Sequence, residues 1–259
     1  MYRVDCEVQG RRLSLRIHPT RLFVPNLMSW FSAAAMPILP GETFADIGTG
    51  SGLHAILAAK LGAKRAYGVD ISPTAIRFAK ENAKRNGVER ICRFLRGSLV
   101  EPLVRCGIRV DSMIYNAPQF PGIRVDPSLP QRLVNSVNGG PSGGELNARF
   151  VREAWKALRP GGRILNPVVS WAGPELTREA IRSCGCRVRE LAVAHIPDWG
   201  RGNHTRDWLL ERPGRHHFRF RYPAGRDTKA WLLELSRDRA IETKSPRNVD
   251  VKIRFSVKA

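Results

Sequence analysis

The chain has 259 residues, 42% of them apolar, which is enough to bury the core of one α/β domain with small additions. No run of about 18 apolar residues occurs, which excludes a spanning helix, and the start Met1-Tyr2-Arg3-Val4-Asp5 lacks the charged-then-apolar layout of a secretion signal. A net charge of +20 and a pI near 10.9 allow an anionic partner such as nucleic acid, but the excess is mostly Arg and is spread from Arg3 to Lys258, which favours a compositional origin.

In chain order, residues 1–40 read as a hairpin followed by a short helix, a piece placed to act as a substrate lid. Tyr2 to Glu7 forms one arm, Gln9-Gly10 the turn, and Leu13, Leu15 and Ile17 alternate with polar residues in the second arm. A helix over 26–36 is stopped by Pro37 and Pro40. From 41 to 236, strands at 43–48, 65–70, 91–96, 110–115 and 162–169 alternate with helices at 52–62, 73–86, 146–158 and 174–183. Short links between them require a parallel sheet. In the second helix Ala75, Ile76, Ala79 and Ala83 form a core stripe, and Asn86-Gly87 is a stop signal. Arg187–His195 and Ala230–Leu235 add two strands. Residues 197–227, rich in Gly, Arg, His and Trp, read as an insertion that is either a substrate loop or a plain surface loop. Residues 237–259 form an extension in which Val249, Val251, Ile253, Phe255 and Val257 alternate with polar residues. That period of two is a half-buried strand, pairing with the hairpin or with a second subunit in a homodimer.

Two stretches carry chemistry. Phe44-Ala45-Asp46-Ile47-Gly48-Thr49-Gly50-Ser51-Gly52 is a buried strand ending in a glycine turn that opens a helix, and Asp70 ends the next strand eighteen residues after Gly52. Glycines let a backbone approach a ligand closely, and a carboxylate at the second strand tip can accept both hydroxyls of a ribose. The acidic start and the Gly48-x-Gly50-x-Gly52 spacing resemble motif I of class I S-adenosylmethionine methyltransferases. The second stretch, Asn116-Ala117-Pro118-Gln119-Phe120, closes the fourth strand at the level where open α/β sheets bind ligands. It resembles the Asn-Pro-Pro-Tyr motif of methyltransferases acting on planar nitrogens, with Ala117 and Gln119 departing from the pattern. Arg21-Leu22-Phe23-Val24-Pro25 and Asn138-Gly139-Gly140-Pro141-Ser142-Gly143-Gly144 resemble segments that flank these motifs in the HemK-type release-factor glutamine methyltransferases.

The resemblance implies a Rossmann-like fold, a mostly parallel seven-stranded sheet flanked by helices, with S-adenosyl-L-methionine as cofactor. By the same resemblance Asp46, Gly48, Thr49, Gly50 and Gly52 surround the methionine tail. Asp70 holds the ribose, Ile71 packs on adenine, Ser98 meets the adenine edge, and Asn116 faces the reacting group. Asn116, Pro118 and Gln119 are the expected catalytic stretch, and Phe23 and Phe120 stand in for the missing aromatic. Acceptors around a target NH₂ localise the nitrogen lone pair, which is otherwise delocalised and poorly nucleophilic. Gln119 in the aromatic position favours a polar target over a flat base. The expectation is therefore an N-directed methyltransferase for a small-molecule or amino-acid-like substrate. Non-methyl use of the sulfonium, by aminocarboxypropyl transfer or cyclisation with release of methylthioadenosine, is the first alternative, and RNA or protein methylation the second. Cys6, Cys92, Cys106, Cys184 and Cys186 are irregularly spaced and read as reduced thiols in a cytoplasmic protein. His54 reads as packed, and the remaining histidines lack the company of a metal site.

Overall fold

Short apolar strands that end in turn residues assemble into two sheets in the computed structural model of the chain. It describes residues 2–18, 24–122, 131–170, 172–196, 215–218, 228–237 and 253–258. The larger sheet has seven strands, in the order β5 (Cys92–Arg96), β4 (Arg65–Asp70), β3 (Thr43–Ile47), β6 (Val110–Tyr115), β7 (Leu158–Val169), β10 (Thr228–Ser236) and β8 (Arg187–Ile196). The pairs from β5 to β7 are parallel, and β10 runs antiparallel to both of its neighbours. This is the doubly wound, Rossmann-like sheet expected from the alternating pattern. The order reverses at β3, so the crevice above β3, β4 and β6 is where ligands bind in such sheets.

Helices cover both faces: α1 (Leu27–Ala35), α2 (Leu53–Leu61), α3 (Pro73–Arg85), α4 (Glu101–Arg105), α5 (Gln131–Val137), α6 (Glu145–Glu153) and α7 (Pro174–Ser183). β3 is buried at every position, as a central parallel strand must be. Phe44, Ile56 and Leu57 are fully buried, each worth about 1.5–3 kcal/mol relative to exposure. In α3 the stripe Ala75, Ile76, Ala79 and Ala83 is buried, joined by Phe78 and Asn82. Ser72 caps this helix by accepting from the Ala75 N–H, and Pro73 starts it at no hydrogen-bonding cost.

The smaller sheet has the order β2 (Arg11–Ile17), β1 (Tyr2–Val8), β11 (Ile253–Lys258), β9 (Arg215–Phe218). The alternating C-terminal segment therefore pairs with the N-terminal hairpin within the chain, Val4 opposite Val257 and Cys6 opposite Phe255. The outer edge of β2 is covered by a helix in an unusual way. Asn82 and Asn86 lie one turn apart on α3. Each side-chain amide accepts from and donates to a strand residue, Asn82 with Arg16 and Asn86 with Ser14. Two amides thus replace a neighbouring strand and protect the edge.

The boundaries differ from expectation where glycine and short elements intervene. β7 begins at Leu158 rather than 162, running through Gly161 and Gly162 with a register shift against β6. The helix expected over 146–158 is α6 to Glu153 and then a 3₁₀ turn, Ala154–Ala157. α4 and α5, of 5 and 7 residues, are too short to show a helical period. Phe23, residues 197–214 and 219–227, Val249 and Val251 lie outside the described residues. Among the described residues no helix is long and apolar enough to cross a membrane.

Candidate active site

A cleft of about 460 Å³ opens over the carboxyl ends of β3, β4 and β6. Its floor is the turn from β3 to α2. Gly48 and Gly50 have φ of +71° and +51°, and a Cβ at Gly50 would meet nothing nearer than 4.0 Å. The turn is therefore a bare backbone wall with open space beside it. Gly52 has a different use. It does not line the cleft; a Cβ there would lie 3.1 Å from Ile56 and 3.2 Å from Ala79, so it lets α2 and α3 approach closely.

Asp46 also lies behind the wall rather than in it. It is 1% exposed, and its carboxylate accepts from the Thr49 hydroxyl at 2.7 Å and the Ala55 N–H at 3.3 Å. Its other oxygen lies 3.4 Å from His54 Nδ1. A carboxylate at a helix N-terminus satisfies amides that have no intrahelical partner, so here Asp46 shapes the turn. Thr49 lines the cleft with its hydroxyl turned to Asp46. His54 is buried and ties Asp46 to α1, with Nε2 at 2.9 Å from Ser32 Oγ and 3.2 Å from the Ser29 carbonyl. Ser32, His54 and Asp46 line up in the order of a hydrolytic triad, but Ser32 is fully buried inside α1, so the string is a structural tie.

At the tip of β4 the Asp70 carboxylate is held by two backbone donors, Gly50 N–H to Oδ2 and Ser72 N–H to Oδ1, both at 2.9 Å. A carboxylate has about four acceptor positions, so acceptor capacity remains for a ligand. Burial pushes the Asp70 carboxyl above its ordinary value, the N–H groups of Ser72, Gly50 and Ile71 oppose that shift, and the nearby Asp46 adds to it. Ile71 lines the same wall and is 55% exposed, an apolar surface at the mouth of the cleft. Ser98 lines the next stretch, and Leu99 beside it has φ of +47°. A non-glycine residue held in the left-handed region stores of order 1–3 kcal/mol of strain, and it sits at the cleft.

β6 delivers the third wall. Tyr115 is buried beneath Gly48 and packs on Phe150 with ring centroids 4.7 Å apart. Asn116 follows at the cleft, its Nδ2 donating to Ser29 Oγ on α1 at 3.0 Å; among the described residues nothing donates to its Oδ1. Pro118, Gln119 and Phe120 also line the cleft. Gln119, however, does not offer its amide to a ligand. Nε2 donates to the Pro167 carbonyl and Oε1 accepts from the Val169 N–H, both at 3.2 Å. Its side chain clamps the loop to the end of β7, which the sequence reading of Gln119 as a polar contact for the target did not anticipate. The glycine-rich stretch explains itself here. A Cβ at Gly139 would lie 2.5 Å from the Pro118 carbonyl oxygen, and one at Gly143 2.4 Å from that of Gln119. Only glycines let this loop back the Asn116–Gln119 main chain so closely. Phe120 joins the loop as well, bridging Asn138.

The cleft thus brings together Gly48, Thr49, Gly50, Asp70, Ile71, Ser98, Asn116, Pro118, Gln119 and Phe120, and leaves Asp46 and Gly52 behind its wall. Asn26, Ser29, His54 and Tyr115 are among the further lining residues that had not been singled out as ligands. Only the proximity of Ser29 to the Pro25 segment hinted at a place near the site.

The comparisons agree with this architecture. The family model for ribosomal protein L11 methyltransferase (PrmA) matches residues 27–116, from α1 to Asn116. The chain is 30% identical over 191 residues, 74% of itself and 92% of the relative, to a Methanocaldococcus jannaschii protein named "Putative protein N5-glutamine methyltransferase". It is 33% identical to the release factor glutamine methyltransferase of Moorella thermoacetica over 61% of this chain and 55% of that one. To the ribosomal protein L11 methyltransferase of Thermus thermophilus it is 37% identical, over 62% and 52%. The chain spans about half the length of these last two. A methyltransferase structure from Pyrococcus furiosus superposes with a TM-score of 0.55 at 16% identity, covering 86% of this chain and 88% of that one. Methanocaldococcus jannaschii Trm5 in complex with adenosine gives 0.54 at 16%, covering 88% and 54%. Both structural likenesses are of fold.

Proposed function

The chain belongs to the class I S-adenosylmethionine-dependent methyltransferases, with HemK-type glutamine methyltransferases among its relatives, and from that premise we propose that it methylates the side-chain amide nitrogen of a glutamine in a protein. The observation that carries the reading is the orientation of Asn116: its NH₂ is bonded to Ser29 and its carbonyl oxygen is left to the cleft. An acceptor there suits a target that donates, as a carboxamide NH₂ does. The three relatives all carry names that specify a protein acceptor, two of them glutamine, which supports a protein substrate, the later alternative of the sequence reading, over the small-molecule or amino-acid-like one it puts first.

The residues fit the cofactor. Asp70 keeps acceptor positions for a ribose diol, the Gly48–Gly50 wall leaves room for a backbone-contacting amino-acid tail, and Ile71 offers an apolar surface for a base. S-adenosylmethionine, when bound, supplies an electrophilic methyl group. The chain's own part is to orient and polarise: Asn116 Oδ1 accepts a hydrogen bond from one N–H of the acceptor amide, and the Pro118 region holds the amide in plane. An acceptor bond to the NH₂ draws the lone pair out of conjugation, and fixed placement removes the entropy of encounter. After transfer the surplus proton leaves the nitrogen for water.

The test uses the purified chain with methyl-tritiated S-adenosylmethionine and peptides that differ only in carrying Gln, Asn or Lys at one position. The expected outcome is label on the Gln peptide, released as methylamine on acid hydrolysis, with S-adenosylhomocysteine as co-product. Label on the Lys peptide, or methylthioadenosine in place of S-adenosylhomocysteine, would overturn the reading.

A further inference from the structure

The entrance to α1 is a capping box that touches the active-site asparagine, and its hydrogen bonds favour one direction for that contact. The Ser29 N–H donates to Asn26 Oδ1 at 3.1 Å; a backbone N–H can only donate, so this oxygen is fixed as an acceptor. The Asn26 N–H donates to Ser29 Oγ at 3.2 Å, which takes one of the two acceptor positions of the hydroxyl. The hydroxyl's single proton has Asn26 Oδ1 at 3.2 Å as its acceptor. One acceptor position on Ser29 Oγ remains, and Asn116 faces it at 3.0 Å. Only an N–H can satisfy that position. Turning the Asn116 amide over would set two oxygens against each other unless the hydroxyl proton left Asn26 Oδ1, so the flip costs the Ser29–Asn26 side-chain bond.

We infer that Ser29 is a positioning residue for methyl transfer: the α1 capping box fixes which end of the Asn116 amide faces the cleft, so that its carbonyl oxygen is presented to the acceptor's NH₂. This rests on the carboxamide reading above. It assigns to a helix cap, ordinarily a device for stability, the further task of setting polarity at the reacting end of the site. Gln119 holds the same loop from the other side through β7, fixing its position but not the direction of the Asn116 amide.

The test has two readouts. The first is the side-chain NH₂ signals of Asn116 in protein labelled with ¹⁵N-asparagine, identified by their loss in Asn116→Asp. In the wild type and in Ser29→Thr one proton of the pair exchanges slowly with water; in Ser29→Ala both exchange fast. The second is transfer to the Gln peptide. Ser29→Ala is expected to lower kcat about 10- to 100-fold, as misorientation of a reacting group does, with KM moving much less, and Ser29→Thr to restore it. Should Ser29→Ala fail to fold, Asn26→Ala replaces it, since it frees the hydroxyl proton to turn toward Asn116 and is expected to give a smaller fall in kcat with the same loss of slow exchange. A drop in thermal midpoint with unchanged Asn116 signals and unchanged kcat would reduce Ser29 to a cap and overturn the inference. If the wild type methylates no carboxamide, the functional reading falls, and the exchange data alone then decide whether Ser29 orients Asn116.

Discussion

The two edges of the large sheet treat polar groups in opposite ways. At the amino edge charges close upon one another: Arg163 lies 2.8 Å from Glu42 and 3.6 Å from Glu234, and Arg189 lies 2.8 Å from Glu234. Ser112 donates to the remaining Glu42 oxygen at 2.9 Å. Burial still raises the Glu42 carboxyl above its usual value, with Arg163 and Ser112 pulling it back. At the carboxyl edge the polar groups are fixed on one side and open on the other. Asp70 is held by two backbone amides and Asn116 by one serine, and each turns its remaining acceptors toward the cleft. The same fold thus has mutually satisfied polar groups at one edge and half-satisfied ones facing the cleft at the other. A binding edge must leave hydrogen bonds unmade until the ligand arrives.

The largest expected effect breaks the closed edge. Arg163→Met leaves Glu42 and Glu234 buried without their shared cation and is expected to cost about 3–5 kcal/mol of stability, read as a lower urea midpoint. Cofactor affinity of the molecules that remain folded should not change; a variant as stable as the wild type would show that the network is not cohesive. Next, Asn116→Asp changes little in shape but sets an acceptor against Ser29 Oγ and a charge before the target. Methyl transfer is expected to fall about a hundredfold or more, the scale of losing one oriented contact, while the urea midpoint moves far less than in Arg163→Met. Wild-type turnover in this variant would remove Asn116 from the proposed site.

A pH series sharpens the open edge. In the proposed complex the ionised Asp70 would accept both ribose hydroxyls, and protonation would turn one acceptor into a donor. Affinity for S-adenosylhomocysteine is therefore full at neutral pH and falls as the pH drops through the raised Asp70 value. The loss should begin at less acid pH than for an ordinary carboxylate, about 3.9. Titration calorimetry checks this; a curve flat to pH 4 in the wild type, or identical in Asp70→Asn, would contradict it. The smallest effect belongs to Asp111 at the closed edge. Burial works against its charge but is outweighed by the Thr43 N–H at 2.7 Å and the Arg159 guanidinium at 2.8 Å, which hold the carboxyl below its usual range. A lowered carboxyl stabilises above its unfolded value and loses that contribution as the pH falls through the folded one. Because the Asp111 side chain is 35% exposed, the contribution is expected to stay below about 1 kcal/mol. A steeper acid loss in the wild type than in Asp111→Asn, by more than that, would disprove it.

What could be read from residues alone tracks the range of the forces involved. The hairpin at Gln9-Gly10, the strand and glycine turn around Gly48, the stripe on α3 and the alternation ending at Val257 are local patterns, and each forms the element it implies. Gly48, Asp70 and Asn116 followed from their place at strand ends, and the other cleft residues from the resemblance to the methyltransferase motifs. The exceptions share one cause, side-chain partners that no periodicity reveals, near in the chain for Asp46 and distant for Gln119 and β2. Asp46 takes its position from Thr49, His54 and the start of α2, Gln119 from the main chain of β7, and β2 from two asparagines on α3.

Periodicity, glycine spacing and turn chemistry by themselves determined a parallel α/β sheet with a crevice at Gly48, Asp70 and Asn116, because backbone conformation and burial period act over a few residues. Only the tertiary structure decided which polar atoms in that crevice are already taken. Whether an oxygen or an NH₂ faces the ligand depends on what the other end of the amide has found, and for Asn116 that is Ser29 on a helix 87 positions away in the chain.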